Sequence, residues 1–147
     1  MKSEPDVFSI DHLKKKKKSP WDGVRNYQAR NFMRDQMKLG DLILFYHSNA
    51  TPPGVAGVAR VSRESHPDPT QWDPKSEYFD PRSTPDKPMW MMVEVEFVEK
   101  FPRLISLDEL KGTPALQGMM VIKRGMRLSV QPVSERDFLT VKQMAWR

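Results

Sequence analysis

Trp90-Met91-Met92-Val93-Glu94-Val95-Glu96-Phe97-Val98 alternates apolar and acidic residues from Val93 to Phe97. Successive side chains of a strand point to opposite faces, so this spacing puts Val93, Val95 and Phe97 into a core and Glu94 and Glu96 toward water. Two runs upstream, Asp41-Leu42-Ile43-Leu44-Phe45-Tyr46-His47 and Gly54-Val55-Ala56-Gly57-Val58-Ala59-Arg60-Val61, have the length and composition of strands. Three such runs argue for a sheet. Downstream, 119–122 and 128–133 read as further short strands, with Pro132 at an end or edge because it has no N–H for a ladder.

Helices are fewer and shorter. Residues 27–37 place Ala29, Phe32, Met33 and Met37 on one stripe, and Gly40 ends the run. Ser106 can cap a second helix, with Glu109 completing a capping box and Gly112 as the stop. A third begins after Ser134, where Glu135 and Asp137 suit the first turn. Six prolines between Ser65 and Pro88 prevent regular structure there. Trp72, Tyr78 and Phe79 in the same stretch gain by packing, so it is read as an ordered flap over the sheet. The fold class expected is α+β.

Composition bounds the function. At 147 residues and 38% hydrophobic, the chain fits one domain, 1–147, around a single core. No apolar run approaches the roughly 20 residues that cross a bilayer, and no signal peptide opens the chain, so a cytoplasmic protein with no membrane partner is expected. The absence of cysteine excludes disulfides, thiolate metal sites and a cysteine nucleophile. His12, His47 and His66 stand singly, and no phosphate loop, nucleophile elbow or His-Glu-x-x-His motif occurs. A non-enzymatic protein without metal or cofactor is therefore the expectation. The rivals are a hydrolase using His47 or His66 and a small-molecule or nucleotide sensor.

The net charge of +5 points to a polyanionic partner, but it is local. Lys14, Lys15, Lys16, Lys17 and Lys18 account for it, since the remaining 19 basic residues balance 19 acidic ones. That run is read as a mobile loop, either merely solvated or touching phosphates beside a binding site.

Polar recognition groups gather at two places. Pro20-Trp21-Asp22-Gly23-Val24-Arg25-Asn26-Tyr27-Gln28-Ala29-Arg30-Asn31 joins an aromatic, a glycine turn and amide and guanidinium groups where a helix begins. Asn26 offers both donor and acceptor to a base edge. The alternative is that Trp21 packs in the core and Asn26 caps the helix. Ser48 and Asn49 follow a strand end, where they line a pocket or make an ordinary turn. Trp21, Trp90, Trp72 and Tyr78 are candidate stacking surfaces.

Lys2-Ser3-Glu4-Pro5, residues 21–31, Phe45-Tyr46-His47-Ser48-Asn49 and Arg127-Leu128-Ser129-Val130-Gln131-Pro132 together resemble the EVE domain family of the PUA-like superfamily. The resemblance covers nearly the whole chain in order. It implies a curved, mostly antiparallel β-barrel with short flanking helices, and recognition of a modified base in DNA or RNA through an aromatic-walled pocket. Carried onto this chain, the pocket is walled by Lys2, Ser3, Trp21, Val24, Arg25, Asn26, Ser48 and Asn49, with Tyr78, Trp90 and Arg127 as further candidates. Arg25 and the lysine run would hold neighbouring phosphates. Family members usually carry a few more residues ahead of Met-Lys-Ser-Glu-Pro, so the expectation is either a shortened first strand or a start that lies upstream of Met1.

Overall fold

The computed structural model describes residues 1–147. Five strands form one sheet: β1 (Lys2–Ser3), β2 (Lys18–Pro20), β3 (Leu42–His47), β4 (Gly54–Pro67) and β5 (Met91–Ser106). Four helices flank it: α1 (Ile10–Lys16), α2 (Tyr27–Asp35), α3 (Leu107–Lys111) and α4 (Glu135–Ala145). The strand order is β1-β3-β4-β5-β2, with β1 parallel to β3 and every other pairing antiparallel.

The expected barrel is not closed. Its outer strands, β1 and β2, have two and three residues and do not pair with each other. β2 stops at Pro20, which has no N–H to extend a ladder. Bending comes instead from β4 and β5, whose register shifts at four places, each an irregularity of the kind that sharpens local twist.

The alternation read from Val93 to Phe97 is present. Val93 and Val95 are fully buried, while Glu94 and Glu96 meet Arg63 and Arg60 on the outer face. The same two-residue period divides β3. Ile43 and Phe45 join Ile10, Leu13, Ala29 and Met33 under α1 and α2, whereas Leu44 and Tyr46 join Leu110, Phe138 and Val141 under α3 and α4. The sheet thus separates two apolar clusters, where a single core was expected.

Several local expectations are corrected. The lysine run is no loop: Lys14, Lys15 and Lys16 lie in α1, Lys17 ends it at φ 73°, and Lys18 opens β2. Ser9 accepts from the His12 N–H while His12 Nδ1 accepts from the Ser9 N–H, so a capping box starts the helix. Buried Ile10 and Leu13 hold its inner face, and the lysines favour its C-terminal end. Residues 119–122 contain a short 3₁₀ turn, Met120–Ile122, in place of a strand. Residues 128–133 make no ladder; a single backbone bond, from the Lys2 N–H to the Ser129 carbonyl, ties them to β1. Ser106 caps α3, but the Glu109 carboxylate turns to Arg103 at 2.8 Å and does not complete a capping box.

The flap is ordered by polar as well as aromatic groups. Gln71 is fully buried; its carbonyl oxygen accepts from Ser83, Met89 and Trp90, and its amide donates to the Asp68 and Trp90 carbonyls. Satisfying all of these buried groups at once pins both ends of the proline-rich stretch.

Candidate nucleic-acid interface

The ends of β1 and β3 bring four of the expected residues together. The Ser48 N–H donates to the Ser3 carbonyl at 2.9 Å, and the Ser3 hydroxyl donates to the Phe8 carbonyl at 2.7 Å. Asn49 sits at φ 49° and donates to Glu4 Oε1 at 3.1 Å. Lys2 Nζ donates to the Met126 carbonyl at 3.2 Å, which places the loop carrying exposed Arg127 beside β1. His47 Nε2 accepts from the Ile10 N–H at 3.1 Å, and burial holds the imidazole below its ordinary pKa, consistent with a neutral acceptor.

Trp21 closes this group. Its ring meets Phe45 edge-on at 5.7 Å and Phe8 edge-on at 6.5 Å, and it remains half-buried. Phe8 is thus shared between Ser3 and Trp21. Both readings of Asn26 have a place in this geometry: its Oδ1 accepts from the Ala29 N–H at 2.9 Å as the α2 cap, while the residue itself stays exposed.

Residues 23–25 do something different from what was expected of them. Gly23 turns the chain at φ 78° and donates its N–H to Asp68 Oδ2 at 2.8 Å. Val24 is buried in the core under α2. Arg25 donates to Asp68, Thr70 and the Tyr78 carbonyl, and lies over the rings of Tyr78 and Trp90 at 5.5 and 5.3 Å. A guanidinium so occupied holds the flap onto the 21–26 segment and is not free for a phosphate.

Trp90 is also corrected. It is only 3% exposed, gives its indole N–H to Asp80 at 2.9 Å and is covered by Tyr27, stacked at 4.9 Å. Tyr78, at the margin of exposure, lies against Gly23. A Cβ at residue 23 would stand 2.6 Å from two Tyr78 ring atoms, so Gly23→Ala should cost about 1–3 kcal/mol from overpacking, read as a lower denaturant midpoint.

Asp68 joins these parts and was missed in the sequence. Burial disfavours its charge most strongly, yet hydrogen bonds from the Thr70 hydroxyl, the Gly23 and Thr70 N–H groups and Arg25 outweigh that and lower its pKa. Its signal was the Asp-Pro-Thr order, an N-cap ahead of the 3₁₀ turn Pro69–Trp72. Tyr27 and Arg30, three residues apart on α2, were missed too; Arg30 lies 4.8 Å over the Tyr27 ring.

Lys16 is near enough to Asp22 to oppose the rise in the Asp22 pKa, which comes first from burial and then from the Asp68 charge. α1 packs against β2, which runs directly into Trp21. A cavity of about 550 Å³ lies elsewhere, between the start of β1, the Leu42–Leu44 side of β3 and residues 129–133, and among the expected residues only Lys2 lines it. His66 Nδ1 lies 2.8 Å from the Glu64 carbonyl and its Nε2 3.3 Å from the Glu94 carboxylate, and no three His, Asp or Glu side chains are placed to hold a metal. No helix is long and apolar enough to cross a membrane.

The model of the EVE domain matches residues 1–144. The chain belongs to the EVE domain family. Thymocyte nuclear protein 1 from Homo sapiens is 44% identical over 94% of this chain and 69% of its own length. A protein from Pseudomonas putida solved by X-ray crystallography is 46% identical with a TM-score of 0.95, covering 99% of this chain and 97% of that one. Human THYN1, solved in complex with 5-methylcytosine-containing DNA, is 43% identical with a TM-score of 0.91, covering all of this chain and 96% of that one.

Proposed function

We propose that this EVE domain is a non-catalytic reader of a modified base in DNA, with 5-methylcytosine as the leading candidate. The complex of human THYN1 with 5-methylcytosine-containing DNA carries this reading, because the likeness extends over the whole of this chain. The geometry supports it chemically. Trp21 offers ring surface supported by Phe8 and Phe45, the Ser3 hydroxyl is bonded to the Phe8 carbonyl, and the exposed Asn26 keeps its amide N–H₂ free of partners within the protein. A base that leaves its stack recovers about 1–3 kcal/mol on an aromatic face and is then read by its polar edge.

A methyl group adds about 0.8 kcal/mol when it fills apolar space, a roughly fourfold preference. Titration of intrinsic tryptophan fluorescence with matched oligonucleotides, single- and double-stranded, carrying cytosine, 5-methylcytosine, 5-hydroxymethylcytosine or N6-methyladenine tests the reading. A preference of about fourfold or more for methylated cytosine is expected. Equal affinities for all four, vanishing with salt, would reduce the interaction to charge alone. The 550 Å³ cavity favours a second reading, a sensor of a small apolar molecule or nucleoside. Free nucleosides binding as tightly as oligonucleotides would support it.

A further inference from the structure

Basic residues on the outer face of the sheet are largely neutralised: Arg60 and Lys18 face Glu96, and Arg63 faces Glu94. The loop before residues 128–133 is different. Lys123, Arg124 and Arg127 are exposed, and none of them enters an ion pair or a side-chain hydrogen bond. From Gly112 to Ser134 the chain has no acidic residue at all. Three cations in five residues thus project without a counter-charge.

The loop is also held in place. Gly125 turns it at φ 79°, and the Met126 N–H returns to the Lys123 carbonyl at 3.2 Å. Lys2 grips it twice, through Nζ to the Met126 carbonyl at 3.2 Å and through its N–H to the Ser129 carbonyl at 2.8 Å. The next residue, Ser3, is bonded to Ser48 and to Phe8, which touches Trp21. On another side, α1 carries the exposed Lys14 to Lys16 and packs against β2, which leads directly into Trp21. Two cationic groups therefore flank the same aromatic and polar surface, one on α1 and one on the 123–127 loop.

We infer that Lys123, Arg124 and Arg127 form a phosphate-binding surface distinct from the α1 lysines, and that a DNA strand lies across Trp21 with backbone phosphates held on both sides. This rests on the DNA-reader function proposed above. An enzyme or reader that takes one base out of the stack leaves the flanking phosphates in line, and cations on both sides fix that register without reading sequence. The occupied Arg25 guanidinium, once a candidate for this task, leaves it to these residues.

The test is the salt dependence of binding, measured with a methylated and an unmethylated duplex of one sequence. Wild-type protein is compared with Lys123→Ala/Arg124→Ala/Arg127→Ala and with Lys14→Ala/Lys15→Ala/Lys16→Ala/Lys17→Ala. Each phosphate contact contributes a slope of about −0.9 in log K against log salt, so loss of three contacts should flatten the slope by about 2 to 3 in the first variant. In Lys123→Ala/Arg124→Ala, which keeps the pocket candidate Arg127, the methylated-to-unmethylated affinity ratio should stay that of wild type. A first variant with the wild-type slope overturns the inference while leaving the reader intact. A wild-type protein that binds neither duplex overturns both. A wild-type protein that binds both duplexes equally, with a slope still flattened in the loop variant, overturns the reader and leaves the phosphate surface standing. All seven side chains are exposed, and unchanged thermal midpoints will confirm that folding is retained.

Discussion

Asp68→Ala should lower the thermal midpoint by roughly 6–12 °C, the equivalent of about 3 kcal/mol in a chain of this size. The Asp68 side chain is fully buried and accepts from Gly23 at 2.8 Å, from the Thr70 N–H and hydroxyl at 2.8 and 2.6 Å, and from Arg25 at 3.1 Å. Its removal leaves the part-buried Gly23 and Thr70 N–H groups without their acceptor and takes from Arg25 its only carboxylate partner. Breaking a buried pair costs about 3–5 kcal/mol, and the partial exposure of Arg25, 21% of its side chain, argues for the lower end. Calorimetry or far-ultraviolet circular dichroism reads the change.

The same carboxylate gives a pH signature. Its pKa in the folded protein lies below the ordinary 3.8, so near and below that value the unfolded chain takes up the proton first. The stabilisation is complete above the unfolded value and is lost as pH falls through the folded one. Asp68→Asn, which keeps the shape and cannot titrate, should weaken this acid sensitivity. An unaltered acid unfolding curve would show that the carboxylate is not the anchor.

Trp21→Ala should remove the preference for methylated over unmethylated DNA and weaken methylated-DNA binding roughly 5- to 150-fold, the equivalent of about 1–3 kcal/mol of base stacking. Salt-sensitive background binding should persist, because the lysines and the 123–127 loop are untouched. The ring also packs on Phe8 and Phe45, so stability falls as well. Trp21→Phe separates the two effects by retaining an aromatic wall. Binding is measured by anisotropy of a labelled oligonucleotide, since the fluorescent tryptophan itself is altered. A methyl preference that survives Trp21→Ala would remove this residue from the site.

Much of the frame was legible because it depends on short-range periodicity. Val93, Val95 and Phe97 announced a face, and Asn26 with the stripe through Ala29 and Met33 announced α2. Residues that depend on distant partners were not. Nothing local to Trp90 reveals that Asp80 takes its N–H and Tyr27 covers its ring, so an aromatic next to a strand looked like a free stacking surface. Arg25 was read as a phosphate ligand because its acceptor, Asp68, is 43 positions away. The lysine run misled differently: its helix start, Ser9 with His12, was readable, but five consecutive cations drew attention to charge and away from buried Ile10 and Leu13. Residues 128–133 have the composition of a strand but no neighbour to pair with, which no pattern within the segment could reveal.

The division of the molecule by its sheet has a practical side. Trp21 and Phe8 pack with the cluster under α1 and α2, whereas α4 buries Phe138, Val141 and Met144 in the cluster on the other face and ends beside exposed Trp146. A tether, dye or fused reporter joined after α4 therefore leaves from the cluster that does not hold Trp21. Anchoring the domain to a bead or sensor chip through that end keeps the attachment away from Trp21 and Phe8, the residues on which the proposed reading of DNA depends.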